Sequence, residues 1–171
     1  MQANRVILPA RFHSIAAARR LANEAQITQA CDAWQVRLAD SGLSFFWPSE
    51  PDQNLYFVIE QEFSTANPHH YTTTPIRLSP ESIVLDVGAC EGLFAFRTLK
   101  KCLVRRVVCF EPSERMAGLL QRGAEANDLD NDIAIERSGV GNQTGRARMV
   151  TGENPDAGYL EYLPSGEPHA D

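Results

Sequence analysis

The stretch "SIVLDVGACEG", residues 82–92, decides the fold. It starts as a short apolar run rich in β-branched residues, which reads as a strand buried on both faces. It then meets Asp86 and turns through Gly88 and Gly92 into "LFAFRTLKK", a helical segment whose closing lysines suit a helix C-terminus. "RRVVCFEPS" follows as a second apolar strand, and "SERMAGLLQRGAEAND" as a helix with Ser113 as cap and Met116, Leu119 and Leu120 on its inner face. "DIAIERSGV" is a third strand, and "GRARMVTG" a candidate fourth. Strands alternating with helices imply right-handed parallel crossovers, hence an α/β chain with a doubly wound, Rossmann-like parallel sheet.

In such sheets the ligand sits beyond the carboxyl ends of the strands, so the turn after the first strand approaches it closely. Gly88 and Gly92 mark positions where a side chain would strike the ligand or the tight turn. Asp86 can orient that loop or meet a cationic group through water. Glu111 ends the second strand, where an acid can accept both hydroxyls of a ribose. The glycine spacing, however, is G-x-x-x-G, with Glu91 inside the turn. A dinucleotide turn has G-x-G-x-x-G and holds a pyrophosphate on the helix N-terminus. A carboxylate there opposes phosphate and tolerates a phosphate-free ligand with a positive centre, which favours S-adenosylmethionine over NAD. A strand-to-helix turn with no ligand, its acids serving as caps or surface charges, is the plainer alternative.

"VLDVGACEG", "CFEPS", "AEANDL" and "IERSGVGNQTGRARM" together resemble the FkbM-type group of class I S-adenosylmethionine-dependent methyltransferases. That family's pattern runs "vLDvGAneG", "afEPs", "N-x-L" and "alg-d-x-G" in the same order. The resemblance covers about residues 70–152. It implies a cofactor turn at Asp86, Gly88, Ala89, Cys90 and Gly92, a ribose acid at Glu111 followed by Pro112, and an adenine edge at Ser138. It also implies that Tyr71, with Thr72 and Thr73, touches the methionine end; a solvated linker is the alternative reading of those three residues. The family often has Asn where Cys90 stands, which removes one polar contact. The implied activity is O-methylation of a small-molecule or sugar-like acceptor. No catalytic base is assigned; His69, His70 and Glu60 are neighbouring candidates. The resemblance further implies a later "D-x-x-K-x-D-x-E-G" strand beside the first one, and residues 153–171 contain nothing like it. The expected sheet is therefore incomplete, and an exposed apolar strand edge templates aggregation. A homo-oligomer, or a missing C-terminal segment, would cover that edge. Two further readings stay open: a catalytically incompetent cofactor-binding or partner protein, and an NAD-dependent oxidoreductase domain.

The rest of the chain frames this unit. Three regions are expected: an N-terminal helix and strand extension over 1–75, the cofactor-binding half over 76–152, and a disordered tail over 153–171. Ser14 is a candidate cap for a helix with its stripe at Ile15, Ala18, Leu21, Ala25, Cys31, Trp34 and Leu38, stopped by Gly42. "LSFFWPSEP" reads as an aromatic plug over the core, with a substrate lip as the alternative. "LYFVIEQEF", residues 55–63, reads as a strand from its β-forming residues.

With 171 residues there is room for one real core, and a net charge of −6 disfavours nucleic acid or an anionic membrane as partner. No run of about 18 apolar residues is present, so no membrane-spanning helix is expected. Cys31, Cys90, Cys102 and Cys109 form neither a metal-type pair nor a disulfide framework, and adjacent His69 and His70 would diverge on a strand, so no metal site is expected. Cys90 at a helix N-terminus is a candidate reactive thiol, but Glu91 beside it opposes a thiolate. Arg5, Arg11, Arg19 and Arg20, with no acid among the first twenty residues, are compatible with a transit peptide, although a cytoplasmic setting is the default.

Overall fold

The structure, a computed structural model, describes residues 23–64, 67, 69–71, 77–150 and 158–163. Two sheets enclose a helical layer. The parallel sheet contains β4 (Ile83–Val87), β5 (Arg106–Phe110) and β6 (Ile133–Glu136) in the order β4-β5-β6. Its register pairs Val84 with Val107 and Val107 with Ile133. The crossovers are α2 (Leu93–Cys102) and α3 (Glu114–Ala126). Because strand order advances in one direction, right-handed crossovers place both helices on the same face of the sheet. Phe96 and Leu120 accordingly share one buried cluster with Val107, Cys109 and Ile133. The chain is thus a mixed α/β protein with a three-stranded parallel sheet, as the alternation of elements implied.

α2 and α3 form where their sequences direct. Ser113 caps α3 by accepting from the Met116 amide at 3.3 Å, and the buried positions Met116, Leu119, Leu120, Gly123 and Ala124 follow the helical period. α2 closes with Lys100 and Lys101 and passes to Leu103 in the left-handed region.

The N-terminal region differs from its expected form. Ala25–Ala30 and Ala33–Leu38 are not helical; they are β1 and β2, an antiparallel hairpin closed by Cys31 and Asp32. The stripe Ala25, Cys31, Trp34, Leu38 fits a helical period only if Ile27 and Val36 are passed over, and both are buried. Alternation along the strands includes them. Cys31 is no stripe position; it is exposed and takes φ +53° in the turn. Gly42, at φ +68°, ends no helix: it closes the next turn, donating to Leu38 O at 2.9 Å. The helix start at Ser14, with Ile15, Ala18 and Leu21, and the arginine-rich first twenty residues lie outside the described residues.

β3 (Ser44–Trp47) completes this antiparallel sheet in the order β1-β2-β3, and all four of its residues are buried. The aromatic run therefore covers the core and forms no lip. β3 packs on α3, which lies between the two sheets. Arg122 of α3 sits 4.2 Å over the Phe46 ring and reaches Asp32 at 2.9 Å.

The strand expected at residues 55–63 is also corrected: those residues belong to a helix, α1 (Gln53–Phe63). Asp52 caps it, accepting from Asn54 N at 3.0 Å and Leu55 N at 3.3 Å. The buried residues Leu55, Ile59 and Glu62 are spaced four and three apart, the period of one helix face. The local β preference of "LYFVI" loses to that cap and to packing against α2.

"GRARMV" does supply a strand, β7 (Ala147–Val150), but not a fourth in the parallel sheet. It pairs antiparallel with β8 (Tyr159–Tyr162), which itself lies within the segment expected to be a disordered tail. Arg148 and Glu161 bridge this pair at 2.7 Å. Among the described residues no strand pairs with the outer edge of β4, and no helix is long and apolar enough to cross a membrane.

Candidate functional site

The turn from β4 into α2 uses three left-handed residues in five: Gly88 at φ +79°, Cys90 at +48° and Gly92 at +83°. The two glycines are required for different reasons. A Cβ on Gly92 would lie 2.8 Å from the Phe96 ring and 2.9 Å from Leu120, so its bareness serves helix packing. A Cβ on Gly88 would meet nothing within 4 Å. Space is left open beside Gly88, where the strand delivers the backbone. Cys90 adopts a conformation that Asn tolerates better than Cys.

Four amides of the turn are consumed internally. Gly88 N and Ala89 N donate to Phe110 O at 2.9 and 3.3 Å, and Gly92 N donates to Ala89 O at 2.8 Å. Cys90 N donates to Glu111 Oε2 at 2.9 Å. The other oxygen of Glu111 accepts from Ser113 N at 2.8 Å. Glu111 thus joins the two loops at the carboxyl ends of β4 and β5, and it is buried. A carboxylate has about four acceptor positions, and among the described residues two hydrogen bonds reach Glu111.

Strand alternation turns Val84 and Asp86 toward the helices and Ile83, Leu85 and Val87 away from them. Asp86 is consequently drawn beneath the turn, and its Oδ2 is buried with no hydrogen-bond partner among the described residues. Burial, then the nearby charges of Glu62 and Glu111, push its carboxyl up to about 6. Burial and the Asp86 charge also push the Cys109 thiol up to about 12, which keeps it inert.

Glu62 and Arg97 belong to this cluster, and the sequence reading missed both. Arg97 Nε lies 3.1 Å from Glu62 Oε2, both side chains buried, linking α2 to α1. Burial raises the Glu62 carboxyl, with Arg97 opposing that shift. Arg97 also lies 5.7 Å over the Phe94 ring. The signal that could have found Glu62 was Asp52, whose cap starts a helix that places residues 55, 59 and 62 on one face. Glu91, within the turn, is buried as well. Four acids (Glu62, Asp86, Glu91 and Glu111) therefore lie in or under the turn, with Arg97 paired to one of them.

The remaining expected residues sit around this centre. Tyr71 is exposed and stacks edge-on against Phe94, in the first turn of α2, with ring centroids 5.3 Å apart. Pro112 follows Glu111 and is partly exposed. Ser138 is exposed just after β6; its amide donates to Glu136 O at 2.8 Å, the carbonyl that also accepts from Glu111 N at 3.0 Å. Glu60 lies on α1, His69 is exposed, and His70 is buried with its amide donating to Asn67 O at 3.1 Å. Thr72 and Thr73 lie outside the described residues. Among the described residues no group of three His, Cys, Asp or Glu is arranged to hold a metal ion. No protein-family model matches this chain, and no curated protein is similar enough to count as a match.

Proposed function

We propose that the turn spanning Asp86–Gly92 binds S-adenosylmethionine, and that the chain is the cofactor-binding part of an FkbM-like class I methyltransferase acting on a hydroxyl of a small-molecule or sugar-like acceptor. The observation that carries this reading is the state of the turn: its amides at Gly88, Ala89, Cys90 and Gly92 are already spent, and carboxylates surround it. A pyrophosphate needs free amides and a positive helix end. A sulfonium and an ammonium need neither, and a negative field attracts them.

The residues present fit that cofactor. Gly88 leaves room at the strand end, and the acceptor positions of Glu111 beyond those two hydrogen bonds suit a ribose diol. Tyr71 offers a ring at the start of α2, and Ser138 lies beyond the end of β6. When bound, the cofactor supplies an electrophilic methyl group, and transfer requires the acceptor oxygen about 3 Å away and in line. The edge of β4, which no strand among the described residues pairs with, favours a second reading, in which this chain binds cofactor or a partner protein without turnover.

Titration calorimetry with S-adenosylmethionine and with NADH distinguishes the ligands. Binding of the first and not the second is expected. Gly88→Val should lower affinity at least tenfold, since its side chain enters the open space and a β-branched residue strains the turn at φ +79°. No heat from either ligand at about 1 mM, a concentration that detects even a weak complex, would remove the nucleotide reading. For the wild type, binding without methyl transfer to any hydroxyl acceptor would favour the second reading.

A further inference from the structure

Arg97 has a donor to spare. It lies on α2 beyond Gly92, is 4% exposed, and its Nε meets Glu62 Oε2 at 3.1 Å. Its Nη2 is buried with no hydrogen-bond partner among the described residues. Long side chains on a helix lean toward its N-terminus, and the Arg97 guanidinium does so, 5.7 Å over the ring of Phe94 in the preceding turn of helix. That direction leads to the turn between β4 and α2. Tyr71, exposed and edge-on to Phe94, is the outermost layer of this stack.

A guanidinium presents a planar fork that matches a carboxylate, and the Glu62 bond occupies one nitrogen of it. A buried N–H without an acceptor is costly, so an arginine held in that state fits a site whose second acceptor arrives with a ligand. The converse stands on the other side of Glu62. Asp86 Oδ2 is buried without a donor among the described residues, and Asp86 is close enough to feel the Glu62 charge. Unpartnered groups of opposite sign thus flank Glu62. A ligand that satisfies both carries an anion beside a cation, as the free amino-acid end of S-adenosylmethionine does. We propose, resting on the cofactor reading above, that Arg97 anchors the carboxylate of that amino-acid end through Nη2, with Glu62 reaching from α1 to hold the guanidinium in place. The one anionic group of the cofactor then has a cation to meet in a turn otherwise ringed by carboxylates. Its entry displaces Tyr71, the outer layer over Phe94.

Two ligands compared by titration calorimetry on the full chain test the role of Arg97. One is S-adenosylmethionine; the other is its decarboxylated form, which keeps the sulfonium, ribose and ammonium and lacks the carboxylate. The wild type is expected to bind the first about tenfold more tightly or better, as the loss of a charge-assisted hydrogen bond predicts. In the double variant Glu62→Met with Arg97→Met, that ratio should fall to about one. Apolar residues of similar volume replace a buried ion pair with little loss of stability, so this variant is expected to fold, which circular dichroism checks. The ratio is the readout because a general loss of structure weakens both ligands alike. Arg97→Lys keeps a cation beside Glu62 but loses the planar fork, and it should lower the ratio by about threefold even if the double variant does not fold. A wild type that binds both ligands equally, or a ratio unchanged in the variants, would overturn the role of Arg97 and leave the cofactor reading standing. Binding of neither ligand would overturn both.

Discussion

The carboxamide of Asn127, just past α3, clasps both backbone groups of Ser44 on β3: Oδ1 accepts from Ser44 N at 2.9 Å, and Nδ2 donates to Ser44 O at 2.6 Å. The same Nδ2 donates to Gly123 O at 2.7 Å. All of this is buried, and it ties the N-terminal antiparallel sheet to the α/β unit across 83 residues of chain. Asn127→Ala leaves the Ser44 amide and carbonyl buried without partners. A loss of about 2–4 kcal/mol is expected, read as a lower urea midpoint at unchanged m. A shift under about 0.5 kcal/mol, the usual range for an ordinary surface change, would show that water replaces the clasp.

Gly123 lies inside α3, where Ala would ordinarily gain about 1 kcal/mol of helix propensity. A Cβ there would stand 2.6 Å from the Phe96 ring. Gly123→Ala should therefore destabilise by about 1–3 kcal/mol. Phe96→Leu in the same chain should recover part of that loss, and a double-mutant cycle measures the coupling. Additive losses would separate Gly123 from Phe96.

Asp86 gives stability a pH dependence of unusual sign. Its carboxyl titrates near 3.8 when unfolded and near 6 when folded, so between those values the folded state holds the extra proton. Stability contributed by this group is full below about 3.8, falls as pH rises through the window, and is lost above about 6, a cost of up to about 3 kcal/mol. Asp86→Asn should be more stable than wild type at pH 7, and the advantage should vanish near pH 3.5. Denaturant midpoints across that range check it; a constant difference would place the carboxylate in a solvated site.

Leu103 ends α2 in the left-handed region at φ +51°, with its side chain 66% exposed. Such a position suits glycine, and little burial is lost by removing the leucine. Leu103→Gly should raise stability by about 1 kcal/mol, seen as a higher melting temperature. A drop would mean that the exposed side chain has packing to lose.

The second half of the chain was legible because its signals agree. Ser113 caps, Met116, Leu119 and Leu120 repeat at the helical period, and Val107 and Cys109 sit in an apolar run of strand length. The first half was misread where signals conflict. Ala25, Trp34 and Leu38 satisfy a helical spacing as well as a strand alternation, and "LYFVI" is locally strand-forming while Asp52 starts a helix. Local preference amounts to tenths of a kcal/mol per residue, and burial of one face overrides it.

By itself the sequence determined the strand, turn and helix at 83–102, because only glycines take φ near +80° without strain and a short apolar run bounded by them reads as a buried strand. It also determined that acids crowd the turn, since Asp86 and Glu91 are near neighbours in the chain. Tertiary structure alone decided what those acids became. Glu62 reaches them from α1, Glu111 spends an oxygen on each of two loops, and strand alternation buries Asp86 while leaving Leu85 open. A carboxylate's charge state and an edge strand's exposure depend on what packs against them, and those neighbours come from distant parts of the chain.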